Sequence, residues 1–302
     1  MANVSETNYT GSGHNQVRLD TVIIINCVLN VPLLLISIMG NLLVFVCISR
    51  TPSLRSPSIT LLCSLAISDF LVGVIVQPLY IASELIKNSS LKLAMDAMAF
   101  ALCGVSLLTM TYISLDRLLA LHYHMRYPNL MTTHRAMFTL AILWFISFLL
   151  GFLTFWNTAF HFTVVIIISI CVLVCSVCYL RIYVIVKQHQ FQIHVQQQAV
   201  ETNTSGNHQI RDNLNVQRSA KSAKNTFIYY VVMISCYTPV IISMSILAIS
   251  RDLWTSAWAL AETAALMNSS INPFLYCWRL RELRRAVLNT VRQLLCKKTG
   301  EN

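Results

Sequence analysis

The feature that most constrains this chain is where its charges are missing. Residues 21–49 contain no Asp, Glu, Lys or Arg, and neither do 136–180 or 225–250. Residues 56–83 hold only Asp69, 93–115 only Asp96, and 253–278 only Glu262. A helix needs roughly 20 mostly apolar residues to cross the hydrocarbon core of a bilayer. The 136–180 stretch is too long for one crossing and is interrupted by Trp156, Asn157 and His161, so it divides into two. Seven crossings result. The apolar runs are continuous rather than alternating, which selects helices over the strands of a barrel. Only 11% of the 302 residues are charged, against about 25% in an ordinary soluble domain. The predicted fold is an all-α membrane protein, a seven-helix transmembrane bundle.

The flanking charges orient the bundle. With the N-terminus outside, the outer side carries Arg18, Lys87, Lys92 and Arg251, and the other eighteen of the 22 Lys and Arg fall inside. That asymmetry, rather than nucleic-acid binding, accounts for the net charge of +10, because cytoplasmic loops concentrate basic residues. The predicted layout is an extracellular tail at 1–20, a membrane domain at 21–278 and a cytoplasmic end at 279–302, in the plasma membrane. The acceptor sequons at Asn3, Asn8 and Asn88 fall on the outer side. Residues 188–224 are rich in Gln, Asn, Ser and His and form the longest loop; disorder is predicted at about 190–220, with its ends extending the fifth and sixth helices. Beyond Trp278, Leu280, Leu283, Val287, Val291 and Leu294 recur at helical spacing among five arginines, the pattern of an amphipathic helix lying on an anionic membrane face. Cys296 at its end is either a palmitoylation site or an unmodified thiol. Nine of the ten cysteines lie in the apolar spans, as small core residues rather than a disulfide framework.

Polar groups inside the membrane are costly and usually face the bundle interior. Asp69 lies mid-span, with Asn41, Asn272, Ser106, Asn268 and Ser269 at similar depth. A carboxylate ringed by hydroxyls and amides is either a sodium site or a hydrogen-bonded structural network.

These residues also carry a family resemblance. Gly40-Asn41 in span one, Leu65 to Asp69 in span two, Asp116-Arg117-Leu118 at the inner end of span three, Trp144 in span four, Pro239 in span six and Asn272-Pro273-x-x-Tyr276 in span seven stand in order. The chain resembles a rhodopsin-like (class A) G-protein-coupled receptor over nearly its whole length. Tyr127 to Thr132, Tyr179 to Tyr183, Cys171 in span five, a very short second outer loop and no outer-loop disulfide are similar to the melanocortin and adenosine receptor group. The resemblance implies an extracellular ligand, a heterotrimeric G protein as partner, and arrestin and receptor kinases as further partners. It implies a resting pair between Asp116 and Arg117, with Arg117 meeting Tyr179 and Tyr276 once span six swings out. Asp69, Ser106, Asn268, Ser269 and Asn272 match the family's allosteric sodium pocket. Other cofactors are not expected. Three departures stand out: Leu118 replaces the usual Tyr after Arg117, Tyr237 replaces the Trp before Pro239, and Ser219 stands where an acidic lock to Arg117 often lies. Raised basal signalling is the expected consequence.

The ligand is less constrained. Ala99 occupies the span-three position where amine receptors carry Asp, and Leu266 the position where opsins carry the retinal-binding Lys. Candidate ligand-facing residues are Asp96, Ala99, Cys103, Tyr237 and Glu262. With Glu84, the two acids form an acidic mouth for a melanocortin-like peptide or another cation, or else Asp96 pairs with Lys92; an adenosine-like ligand is the third choice. The alternatives to a signalling receptor are a decoy receptor and, further off, a transporter, for which the internal repeat and midplane helix breakers are missing. No nucleophile or metal cluster suggests an enzyme.

Overall fold

The computed structural model describes residues 4–51, 56–123, 126–156, 160–200, 227–228, 230–246, 251–279, 283–290 and 292. The first span is α1 (Val4–Arg50). The second is α2 (Pro57–Leu71), a π-helical turn at Val72–Val76 and α3 (Gln77–Ile86). The third is α4 (Ser89–Tyr123). A one-turn helix, α5 (Tyr127–Leu130), leads to the fourth, α6 (Thr133–Trp156). The fifth, sixth and seventh are α7 (Phe160–Val200), α8 (Tyr230–Ile246) and α9 (Arg251–Arg279). Among the described residues there is no strand.

Local chemistry sets these boundaries. Ser56, in extended backbone, caps α2 by accepting from the Ile59 N–H at 3.3 Å, and Pro57 fills the first helical position, where its missing N–H costs nothing. The π turn comes just before Pro78, which has no N–H to donate to the preceding turn. α3 stops at Lys87, whose φ of 52° is left-handed, and the Asn88 side chain caps α4 through the N–H groups of Ser90 (2.9 Å) and Leu91 (3.2 Å). This tight corner sets the ends of α3 and α4 side by side. The division of 136–180 falls where it is expected, α6 ending at Trp156 and α7 beginning at Phe160. α7 stays helical to Val200, and 201–226, including Ser219, lie outside the described residues.

Among the described residues, five stretches are long and apolar enough to cross a membrane: Thr21–Arg50, Pro57–Ile86, Ser89–Tyr123, Thr133–Thr154 and Phe162–Gln188. α8 is apolar but shorter, and α9 is long but more polar. The polarity of α9 points inward, since Asn268, Ser269, Ser270 and Asn272 are all buried. Small residues let the helices touch. A Cβ on Gly151 of α6 would lie 2.6 Å from the Ala97 carbonyl oxygen of α4, and one on Gly40 of α1 would lie 2.8 Å from the Pro273 ring of α9. The Trp144 indole donates to Ser64 at 2.9 Å, tying span four to span two. Large apolar side chains such as Phe138, Phe145 and Phe152 point outward instead, as lipid permits. Residues 283–290 are helical; Leu283 is fully buried while Arg284 and Arg285 are exposed, the two faces expected of the amphipathic helix. Cys296 and Asn3 lie outside the described residues.

Candidate functional site

Three buried polar assemblies line the bundle from one end to the other. The first is at mid-depth, where α2, α4 and α9 meet. Asp69 is fully buried. Ser106 donates to its Oδ1 at 2.9 Å, Asn272 Nδ2 to its Oδ2 at 2.6 Å, and the Ser269 hydroxyl is within hydrogen-bonding reach. Ser68 and Ser106 share a 2.9 Å bond, and Asn41 fixes the seventh span by donating to the Ser269 carbonyl at 3.0 Å. Asn268 packs its amide against Met110 Sδ at 4.0 Å. Four of the five residues of the predicted pocket are therefore joined by hydrogen bonds, and the fifth, Asn268, is buried next to Ser269 on α9. The Oδ1 atoms of Asn268 and Asn272 are buried with no hydrogen-bond partner among the described residues. A carboxylate, two hydroxyls and two unsatisfied amide oxygens are a donor set that fits a hard cation such as sodium.

The second assembly sits at the end of the bundle marked by Asp116 and Arg117. Asp116 is fully buried, and its carboxylate accepts from Arg117 Nη2 at 2.6 Å, from the Tyr127 hydroxyl at 2.6 Å and from Ser58 Oγ at 3.2 Å. Arg117 also donates to Ser58 Oγ. The pair is thus held from span two and from α5. Burial, together with the Asp116 carboxylate beside it, pushes the Tyr127 phenol up to about 12, so it remains a donor at neutral pH. Tyr179 is buried on α7, shares a 3.2 Å bond with Ser114 and packs its ring 4.6 Å from that of Tyr230 on α8. Tyr276 is fully buried in the main core. Sequence reasoning missed Ser58 as a partner; Tyr127 was visible only as part of a family-like stretch. No spacing rule announces a contact made between separate helices.

The third assembly lies at the opposite end. A narrow cleft, open to one side, is lined by Asp96, Ala99, Cys103, Tyr237 and Glu262, which include every predicted ligand-facing residue. The remaining lining is largely apolar, including Phe100, Ile168, Trp258 and Leu266. Tyr237 on α8 donates to the Cys103 carbonyl at 3.3 Å, crossing the cleft floor. Glu262 is engaged by the Trp258 indole at 2.5 Å and by Lys92 at 2.9 Å. The expected alternative pairing of Lys92 with Asp96 is not the one formed: Lys92 bridges Glu84 at 3.0 Å and Glu262, because the corner at Lys87 brings α3 alongside α4, while Asp96 lies within hydrogen-bonding reach of Glu262. The nine described cysteines form no disulfide. Asn88 is exposed, and its capping bonds use Oδ1, which leaves Nδ2 open to glycan attachment. Asn8 lies in the first part of α1.

The sequence model of the 7 transmembrane receptor (rhodopsin family) matches residues 40–161 and 153–276. Melanocortin receptor 3 of Rattus norvegicus is 25% identical over 291 residues, covering 89% of this chain and 84% of the relative. Adenosine receptor A2b of Gallus gallus is 25% identical over 319 residues, covering 89% of each. Histamine H2 receptor of Canis lupus familiaris is 35% identical over a shorter 136 residues, 42% of this chain and 37% of the relative.

Proposed function

The chain belongs to the rhodopsin family of seven-transmembrane receptors, and from that premise we propose that it binds an extracellular ligand in the Asp96–Glu262 cleft and activates a heterotrimeric G protein at the Arg117 end. The N-terminus is outside, the C-terminus inside, and the site of action is the plasma membrane. The observation that carries this reading is the 2.6 Å pair between Arg117 and the fully buried Asp116, at the end of the bundle opposite the cleft. A half-buried arginine held by a single neighbouring carboxylate and a hydroxyl is a group with two states. Ligand binding favours one state of the bundle over the other only through unequal contacts with the two. When α8 swings away, Arg117 turns towards Tyr179 and Tyr276, and the opened groove accepts a helix of the G protein. No covalent chemistry is involved.

The ligand follows from the cleft. Its walls are apolar and its polar groups are acidic, so the fit is to a molecule with an apolar body and a basic group, whether a peptide side chain or a small amine. Relatives named as melanocortin, adenosine and histamine receptors span peptide, nucleoside and amine ligands. The test is nucleotide exchange by a G protein with the receptor in lipid discs, screened against these three ligand classes. Exchange that Arg117→Ala abolishes is the expected result, and exchange unaffected by Arg117→Ala would refute the mechanism.

The pocket at Asp69 holds sodium in the ligand-free receptor. Its support is the pair of unsatisfied amide oxygens beside a buried carboxylate. Sodium should raise the melting temperature of the wild type relative to equal N-methylglucamine and should do nothing for Asp69→Asn. An equal response from both proteins would rule the site out.

A further inference from the structure

Lys92 is a basic side chain at the cleft end whose partners come from two other spans. Its ammonium lies 3.0 Å from Glu84 Oε1 on α3, and 3.1 and 2.9 Å from Oε1 and Oε2 of Glu262 on α9. The Tyr80 ring completes the setting, 5.5 Å from Nζ. The Trp258 indole holds Glu262 independently of Lys92, and the capped corner at Lys87 to Leu91 sets the backbone that carries Glu84. Two carboxylates and an aromatic face, with Glu262 and Tyr80 also held by Trp258 and the Ala259 carbonyl, make a site for a primary ammonium.

We infer that Glu84, Glu262 and Tyr80 form a monocation site whose resident occupant is the tethered Lys92 ammonium, and that Lys92 thereby decides which ligands reach the cleft's carboxylates. Glu262 both lines the cleft and holds Lys92. A ligand's basic group therefore gains Glu262 only by displacing Lys92, and weakly basic or uncharged ligands are excluded from that carboxylate. Asp96 lines the cleft and is not among the carboxylates that Lys92 contacts directly, so it is the acid a ligand meets first. The same occupant ties together the ends of spans two, three and seven, where no disulfide is formed among the described residues, so displacement loosens that end as the ligand binds.

The test deletes the occupant and supplies it from solution. Lys92→Ala removes three methylenes and the ammonium, which n-propylammonium replaces atom for atom. Purified full-length receptor in lipid discs is melted in 20 mM propylammonium chloride or 20 mM sodium chloride. Lys92→Ala should melt roughly 4 °C below wild type in sodium and recover at least half of that in propylammonium, because a ligand bound only to the folded state stabilises it. Wild type should not respond, its site being filled, and neither should the double variant Lys92→Ala/Glu262→Gln. The inference is overturned if Lys92→Ala melts with wild type, or if propylammonium acts equally on all three proteins. Lys92→Gln carries the same comparison should Lys92→Ala fail to accumulate. The role of Lys92 towards ligands rests on the proposed function, but the melting experiment does not. Receptor that shows the rescue yet drives no nucleotide exchange would overturn the signalling reading and leave the cation site in place.

Discussion

Asp116 gathers donors from three separate segments, Arg117 beside it, Ser58 on α2 and Tyr127 on α5, all within 3.2 Å. Such a carboxylate loses free energy when any one donor is removed, because the remaining negative charge stays buried. Tyr127→Phe should therefore cost about 1.5 kcal/mol of stability and shift Arg117 towards its other partners, raising ligand-free signalling; melting temperature and a nucleotide-exchange assay read the two effects. The phenol also gives a pH signature. Its folded-state value of about 12 lies above the ordinary value of about 10. The stability it contributes is present in full below pH 10 and is lost as pH rises through 12. The melting gap between wild type and Tyr127→Phe should close over that window, and a gap constant to pH 12 would exclude the bond. At this scale the sequence was informative where a residue's type is itself improbable. Asp69 in an apolar run, and Asn272 beside Pro273, declare themselves, and both lie in one network at 2.6 Å. Ser58 and Lys92 do not, because a serine near a helix start and a lysine near a helix end have ordinary local explanations.

Pairs of helices are decided by what their smallest residues allow. On α4 and α6, Gly151 faces backbone, 2.6 Å from the Ala97 carbonyl oxygen and 2.8 Å from the Ala101 Cβ, whereas Gly104 faces only the Ser147 hydroxyl, which can rotate away. Gly151→Ala should cost about 2 kcal/mol through forced separation of the two helices, and Gly104→Ala less than half of that. Thermal melting of the two variants in the same detergent checks the order; equal losses would mean that the helices slide rather than clash. The elements themselves were legible, since charge-free length fixes a span and Trp156 to His161 marks the break. The π turn at Val72–Val76 was not, although Pro78 is its local cause, because a proline in a run of apolar residues is equally consistent with a simple kink. The low apolarity of α9 is legible only once its asparagines and serines are seen to face inward.

Across the whole molecule, the two ends of the bundle are restrained unequally. At the cleft end, Lys92 joins spans two, three and seven. At the other end, the Asp116–Arg117 assembly joins spans two and three with α5, and among the described residues no ion pair reaches α8. The sixth span is held instead by neutral contacts: Tyr237 to the Cys103 carbonyl at 3.3 Å, Tyr230 to Ser176 at 2.7 Å, and the Tyr230 ring against Tyr179. Two of these tie α8 to α7, so they travel with α8 if the two helices move together. Neutral hydrogen bonds contribute about 1 kcal/mol each, a small barrier to a two-state change, and a gap of a few kcal/mol leaves the minor state at 0.1–10%. The receptor should therefore exchange nucleotide on its G protein without ligand, above the rate of Arg117→Ala at equal density in lipid discs. Tyr237→Phe, which frees α8 from α4 while keeping the ring, should raise that basal rate further, by about fivefold for a loss of 1 kcal/mol. A basal rate no higher than that of Arg117→Ala would mean that α8 is pinned by contacts other than these three.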